Sequence, residues 1–114
     1  DMMLRPADNG SVAFKVILTQ TRDVRRGSQG HLTLSVEGRR NGQLERIEWP
    51  ELSGAGDEAG LPYDFRYFQR VEGQFMLPAD FQPLSVRAVL NGQGSETVER
   101  TVPWEQAVKT SRGN

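Results

Sequence analysis

The dipeptide Asn41-Gly42 lies between two runs of alternating hydrophobicity, and it constrains the fold of this chain more than any other feature. A two-residue type I′ turn needs positive φ at both central residues, which Asn and Gly tolerate best. Such a loop pairs Arg40 with Gln43, and counting back puts Val36 opposite Ile47, Leu34 opposite Trp49, and Glu37 opposite Arg46. Apolar side chains then meet on one face and opposite charges on the other, as cross-strand pairing favours. Pro50 ends the second arm because it cannot donate to a ladder. On this reading Trp49 is a core residue, and its replacement by Ala costs roughly 3–5 kcal/mol.

The same period of two recurs along the chain. Ser11 to Gln20 alternates Val12, Phe14, Val16 and Leu18 against more polar neighbours, and His31 to Arg40 puts Leu32, Leu34 and Val36 on one face. Thr21 to Gly30 and Leu52 to Pro62, rich in Gly and charge, are expected to be loops. Tyr63 to Glu72 sets Tyr63, Phe65, Tyr67 and Val71 on one face, against Asp64, Arg66, Arg70 and Glu72 with Phe68 among them. Gly73 leaves two readings of residues 63–77 open, one bent strand or two strands. Leu84, Val86, Ala88 and Leu90 alternate before Asn91-Gly92-Gln93-Gly94, and Val98, Val102 and Trp104 follow with one parity. A three- or five-residue loop preserves that parity and sets Val86 against Val98, although Arg100 then shares the apolar side. Glu105 to Lys109 has room for one helical turn, and residues 110–114 read as a flexible tail. Six to seven short strands with almost no helical period predict an all-β domain. The expected architecture is a two-sheet antiparallel β-sandwich of immunoglobulin-like size over residues 11–109.

At 114 residues the chain has room for one core, which a domain of this size forms without staples. Fourteen basic residues balance fifteen acidic ones, so no net charge draws in nucleic acid or anionic lipid. No apolar run reaches the roughly 18 residues of a membrane span. The absence of cysteine removes disulfides, thiolate chemistry and Cys-containing zinc sites. His31 is the only histidine; it falls on a polar strand face and has no sequence-readable nucleophile beside it. Asp57-Glu58 supplies two ligands where a calcium loop needs several at fixed spacing. The glycines around that pair lack the P-loop string and its helix. Glu48 and Glu51 read as a solvated strand end. Arg22, Arg25 and Arg26, with Arg39 and Arg40, form at most a small basic patch among balancing acids.

No cofactor is expected, and the domain is expected not to be an enzyme. The candidate interaction surface is Phe68 flanked on its face by Arg66 and Arg70, because aromatics and Arg are enriched in interface cores. The alternative reading is a module for a glycan or peptidoglycan fragment, using Tyr63, Phe68 and Trp104.

The stretches VILTQ (Val16 to Gln20), VEGRRNGQ (Val36 to Gln43), FRYFQRVEG (Phe65 to Gly73) and LPADFQP (Leu77 to Pro83) add a further indication. In order and spacing they resemble the C-terminal β domain of an uncharacterised proteobacterial family. Its members carry a short N-terminal segment, one membrane helix and a coiled coil before that domain. The resemblance implies that Asp1 to Arg5 ends a coiled coil, so that residues 1–10 are its tail or a linker. It further implies oligomerisation through that coil and a membrane connection only through an upstream anchor. A protein partner is implied too, with the domain on the periplasmic face of the inner membrane; a cytoplasmic location is the alternative. Such genes look to lie near those of bactofilin-type cytoskeletal proteins, which implies scaffold work in the cell envelope or in cell shape. The resemblance brings no catalytic residue.

Overall fold

Asn41 and Gly42 adopt φ of 55° and 78°, and the strands they join pair in the register counted above, Val36 with Ile47, Glu37 with Arg46 and Arg40 with Gln43. The computed structural model describes residues 2–19, 28–54, 60–92 and 97–112, with the side chains of 110–112 left aside. In chain order its elements are β1 (Met2–Pro6), β2 (Ser11–Thr19), β3 (Ser28–Arg40), β4 (Gln43–Ile47), α1 (Trp49–Ser53), β5 (Leu61–Phe65), β6 (Phe68–Met76), β7 (Phe81–Gly92), β8 (Thr97–Pro103) and α2 (Trp104–Arg112).

The strands form two antiparallel sheets with no closed barrel. Sheet A runs β1-β2-β6. Sheet B runs β4-β3-β7-β8, with β5 also pairing β3. β4 takes the C-terminal half of β3 and β5 the N-terminal half, so the two lie end to end along one edge. Alternation delivers one face of each strand to the interior. Leu4, Phe14, Val16 and Phe75 come from sheet A and meet Leu32, Leu34, Val36, Val86 and Tyr63 from sheet B.

The two helices pack at the sides of the sheets. α1 packs between β3 and β6, burying Trp49 and Leu52, with Trp49 edge-on to Phe14 at 6.0 Å and 86°. α2 packs along β1 and also reaches β7 and β8, with Ala107 buried and Trp104 beside Phe75.

Several expectations require correction, and the open choice over residues 63–77 is resolved. Eight strands are present among the described residues, not six or seven. The extra one is β1, where a coiled-coil tail or linker was expected. Met2 and Leu4 alternate into the core, and the strand pairs β2 from Met2↔Val16 to Pro6↔Val12, so these apolar residues complete a sheet. Residues 63–77 form two strands, and they belong to different sheets. The chain crosses at Arg66 and Tyr67, while Gly73 lies inside β6, where a Cβ would come within 2.8 Å of the Phe14 ring. Trp49 does not pair with Leu34, because β4 ends at Ile47 and the WPELS stretch, Trp49–Ser53, turns into α1. Pro50 sits in its first turn, where a missing N–H costs nothing, and Gly54 closes it at φ 72°.

The last hairpin keeps the expected parity, but each residue of β7 meets a partner four residues further along β8 than expected. Val86 faces Val102 and Leu90 faces Val98, because the five residues between the last pair, Asn91↔Thr97, centre the turn on residue 94 and not on residue 92. Leu84 drops out of the alternation at a register shift between Glu37 and Gly38, and is 42% exposed. Trp104 opens α2, which runs on to Arg112, so most of the expected tail is helical.

Candidate interaction surface

β6 begins immediately after the crossover between sheets, and that position decides which way Phe68 faces. The Asp64 backbone N–H donates to Gln69 Oε1 at 2.8 Å and braces the corner. From there Val71 and Phe75 turn inward, and Phe68, Arg70, Glu72, Gln74 and Met76 turn outward. Across the sheet these outward residues face Thr19, Ile17, Lys15, Ala13 and Ser11 in turn. Arg70 and Glu72 form an ion pair at 3.6 Å along the strand, and Glu72 also stands opposite Lys15.

The structure therefore brings Phe68 and Arg70 together on one exposed face, with Arg66, also exposed, on the turn just before it. Phe68 is 66% exposed and Tyr67 64%. The alternation of Tyr63, Phe65 and Val71 predicts an inward Tyr67. The change of sheet at that point breaks the parity count and leaves its ring in solvent. Met76, 52% exposed, closes the same outward row at the far end of β6, beyond the charged stretch that marks the face in the sequence. Of the six large hydrophobic side chains exposed among the described residues, these three sit on or beside one strand.

The remaining candidates resolve as follows. His31 is exposed on the outer face of β3, opposite Pro62 and Asn91. Arg40 is bound through its Nε to Glu45 at 2.9 Å, a hydrogen bond that holds its pKa above the ordinary value. Glu48 caps the start of α1 with backbone only, and Glu51 lies in its first turn. Arg22, Arg25, Arg26, Asp57 and Glu58 lie outside the described residues. Among the described residues no three His, Cys, Asp or Glu side chains cluster to hold a metal, and no helix is long and apolar enough to cross a membrane.

The outer face of sheet B is polar. Ser35, Ser85 and Thr101 are interleaved there with the pairs Arg46–Glu37, at 3.5 Å, and Arg87–Glu99. The three aromatics proposed for a glycan do not meet. Tyr63 is 5% exposed in the core, and Phe68 is at the far end of β6 from Phe75, the ring that Trp104 touches. Seven residues of strand separate them by about 23 Å. Trp104 instead lines a depression of about 530 Å³ with Pro6, Asp8, Pro78, Phe81 and Pro83.

Residues 1–88 match DUF6776, a family of unknown function. No curated protein and no solved structure matches the chain.

Proposed function

We propose that this chain, which belongs to DUF6776, is a non-catalytic interaction domain whose contact surface is the outward row of β6 and the turn before it. One observation carries the reading: Tyr67 and Phe68, adjacent and both more than half exposed, stand at the start of β6 with Arg66 and Arg70 on either side of them. Exposed apolar side chains scattered singly need no explanation, but a contiguous group rimmed by charge marks contact sites. The envelope setting belongs to the same proposal. There the domain is the terminal module of a membrane-anchored coiled-coil protein on the periplasmic face of the inner membrane, linked to cell-shape machinery. Support for that setting comes from the sequence resemblance. The coil would lie upstream of β1, since Met2–Pro6 is itself a strand.

A photo-crosslinking residue at position 68 of the full-length protein in its own cells tests the contact surface. The expected result is a discrete cross-linked species from position 68 and none from Thr33, on the outer face of sheet B. Equal labelling at both positions, or none at position 68, overturns the assignment.

The glycan reading keeps one supporting observation, the depression floored by Trp104. Titration with chitooligosaccharides and muropeptides, monitored by quenching of Trp104 fluorescence in a Trp49→Phe background, decides it.

A further inference from the structure

Sheet A ends on β6, a strand of nine residues with neither proline nor lysine and no shift in its register to β2. Native proteins blunt an exposed edge with such devices or cover it, because a row of unpaired backbone groups is a template for another strand. The opposite edge of this sheet shows two of them, since β1 ends in Pro6 and α2 packs along it. Beside β6 the helix in contact is α1, of five residues. At 1.5 Å per residue α1 spans about 8 Å, whereas the strand spans about 30 Å. Most of the β6 edge is therefore uncovered among the described residues.

We propose that this edge pairs, antiparallel, with the β6 edge of a second copy of the chain, joining two three-stranded sheets into one of six. The proposal rests on the interaction reading above and names its partner. Charge selects the register. A two-fold axis at Arg70 sets two arginines against each other, and one at Glu72 sets two glutamates; both are unfavourable, as like charges directly opposite repel. An axis at Val71 places Arg70 of each copy opposite Glu72 of the other, twice, with every outward side chain still outward. In the same register Phe68 faces Gln74 and is diagonal to Met76, within reach of a long side chain. On the inner face Gln69 lies opposite Gly73, which has no side chain to obstruct it, and the exposed Tyr67 lies opposite Phe75. A single axis thus pairs both charges and brings cover to the apolar side chains left in solvent.

Sedimentation equilibrium of the 114-residue chain tests this. Wild type is expected to dimerise. Arg70→Glu and Glu72→Arg, each alone, set like charges opposite one another twice and weaken the dimer by roughly tenfold or more. The double variant Arg70→Glu/Glu72→Arg restores wild-type affinity, and an equimolar mixture of the two single variants forms a heterodimer. The two side chains are 59% and 54% exposed, so the fold tolerates the changes, and far-UV circular dichroism verifies it. A wild type that stays monomeric to millimolar concentration, a dimer indifferent to the single reversals, or a double variant that fails to recover each overturns the pairing. A monomer in solution together with a position-68 cross-link to a different protein overturns self-pairing and leaves the interaction domain standing.

Discussion

Trp49→Ala probes the joint by which α1 ties the two sheets together. The side chain is 4% exposed and meets the Phe14 ring edge-on, in the layer where Phe14 in turn stacks on Phe75. Truncating a buried Trp or Phe to Ala costs about 3–5 kcal/mol, through lost transfer energy and the cavity left behind. One feature lowers that figure here. Trp49 Nε1 is buried with no hydrogen-bond partner among the described residues, and an orphan donor of this kind costs about 1–3 kcal/mol that truncation releases. The expected loss is therefore at the lower end, about 3 kcal/mol. With an unfolding entropy of about 2.1 cal/mol/K per residue, that lowers Tm by roughly 12 °C for a chain of 114 residues. Trp49→Phe retains most of the ring and its contact with Phe14 while removing the orphan N–H, so it costs less than half as much. Urea denaturation of both variants, followed by Trp104 fluorescence and circular dichroism, provides the measurement. A loss below about 1 kcal/mol for Ala, or a Phe variant as damaged as the Ala variant, would refute the argument.

Glu37→Ala and Arg46→Ala should each cost less than about 1 kcal/mol by chemical denaturation, because the pair is 3.5 Å apart and nearly half exposed at both ends. Gly30→Ala should destabilise by several times more than Gly42→Ala in the same assay. A Cβ at Gly30 meets the Asn91 carbonyl oxygen at 2.2 Å and the Tyr63 hydroxyl at 2.7 Å, whereas at Gly42 it meets open space and only the φ of 78° resists, at about 1 kcal/mol. Titration calorimetry with zinc and calcium should show no stoichiometric, tight uptake; saturable binding abolished by one point substitution would contradict the non-catalytic reading.

What the sequence made legible was whatever depends on neighbours a few residues apart. The β3–β4 register follows from two turn residues and a period of two, and it holds from Arg40↔Gln43 to Val36↔Ile47, failing only at Trp49, which enters α1 instead of meeting Leu34. Parity and loop length survived even in the β7–β8 hairpin, where the turn is centred two residues further on and Val86 meets Val102 instead of Val98. Legibility ended where a long-range choice intervened. Nothing local to Asp64–Gln69 says that the chain leaves one sheet for the other, and that single event reversed the expected side of Tyr67 and made two strands of one alternating stretch. α1 is a different kind of miss. Five residues are too few for a 3.6-residue period to register, but Pro50 just inside the start and Gly54 just past the end are the flanking signals of a short helix. β1 was not anticipated because the resemblance assigns Asp1 to Arg5 to the end of a coiled coil, and five residues carry too little periodicity to contest that. Only the partner, β2, decides between coil and strand.

The ion pairs of this surface are better understood by position than by count. Arg46–Glu37 and Arg87–Glu99 each close on a neighbouring strand within sheet B, so its outer face presents charges already satisfied, and Arg40–Glu45 closes in the same way on the other side of the sheet. Exposed pairs of this kind contribute between nothing and about 1 kcal/mol to stability. Arg70–Glu72 differs in geometry, because both members lie on one strand, two residues apart, at 3.6 Å, on the end strand of sheet A. Their alternating signs face outward beside a backbone edge that is unpaired among the described residues, where an incoming strand of opposite alternation can meet both. In such a place charge acts on register and partner choice more than on fold stability. The exposed apolar side chains beside it, Phe68 and Met76, then supply the area that a charge pattern alone lacks.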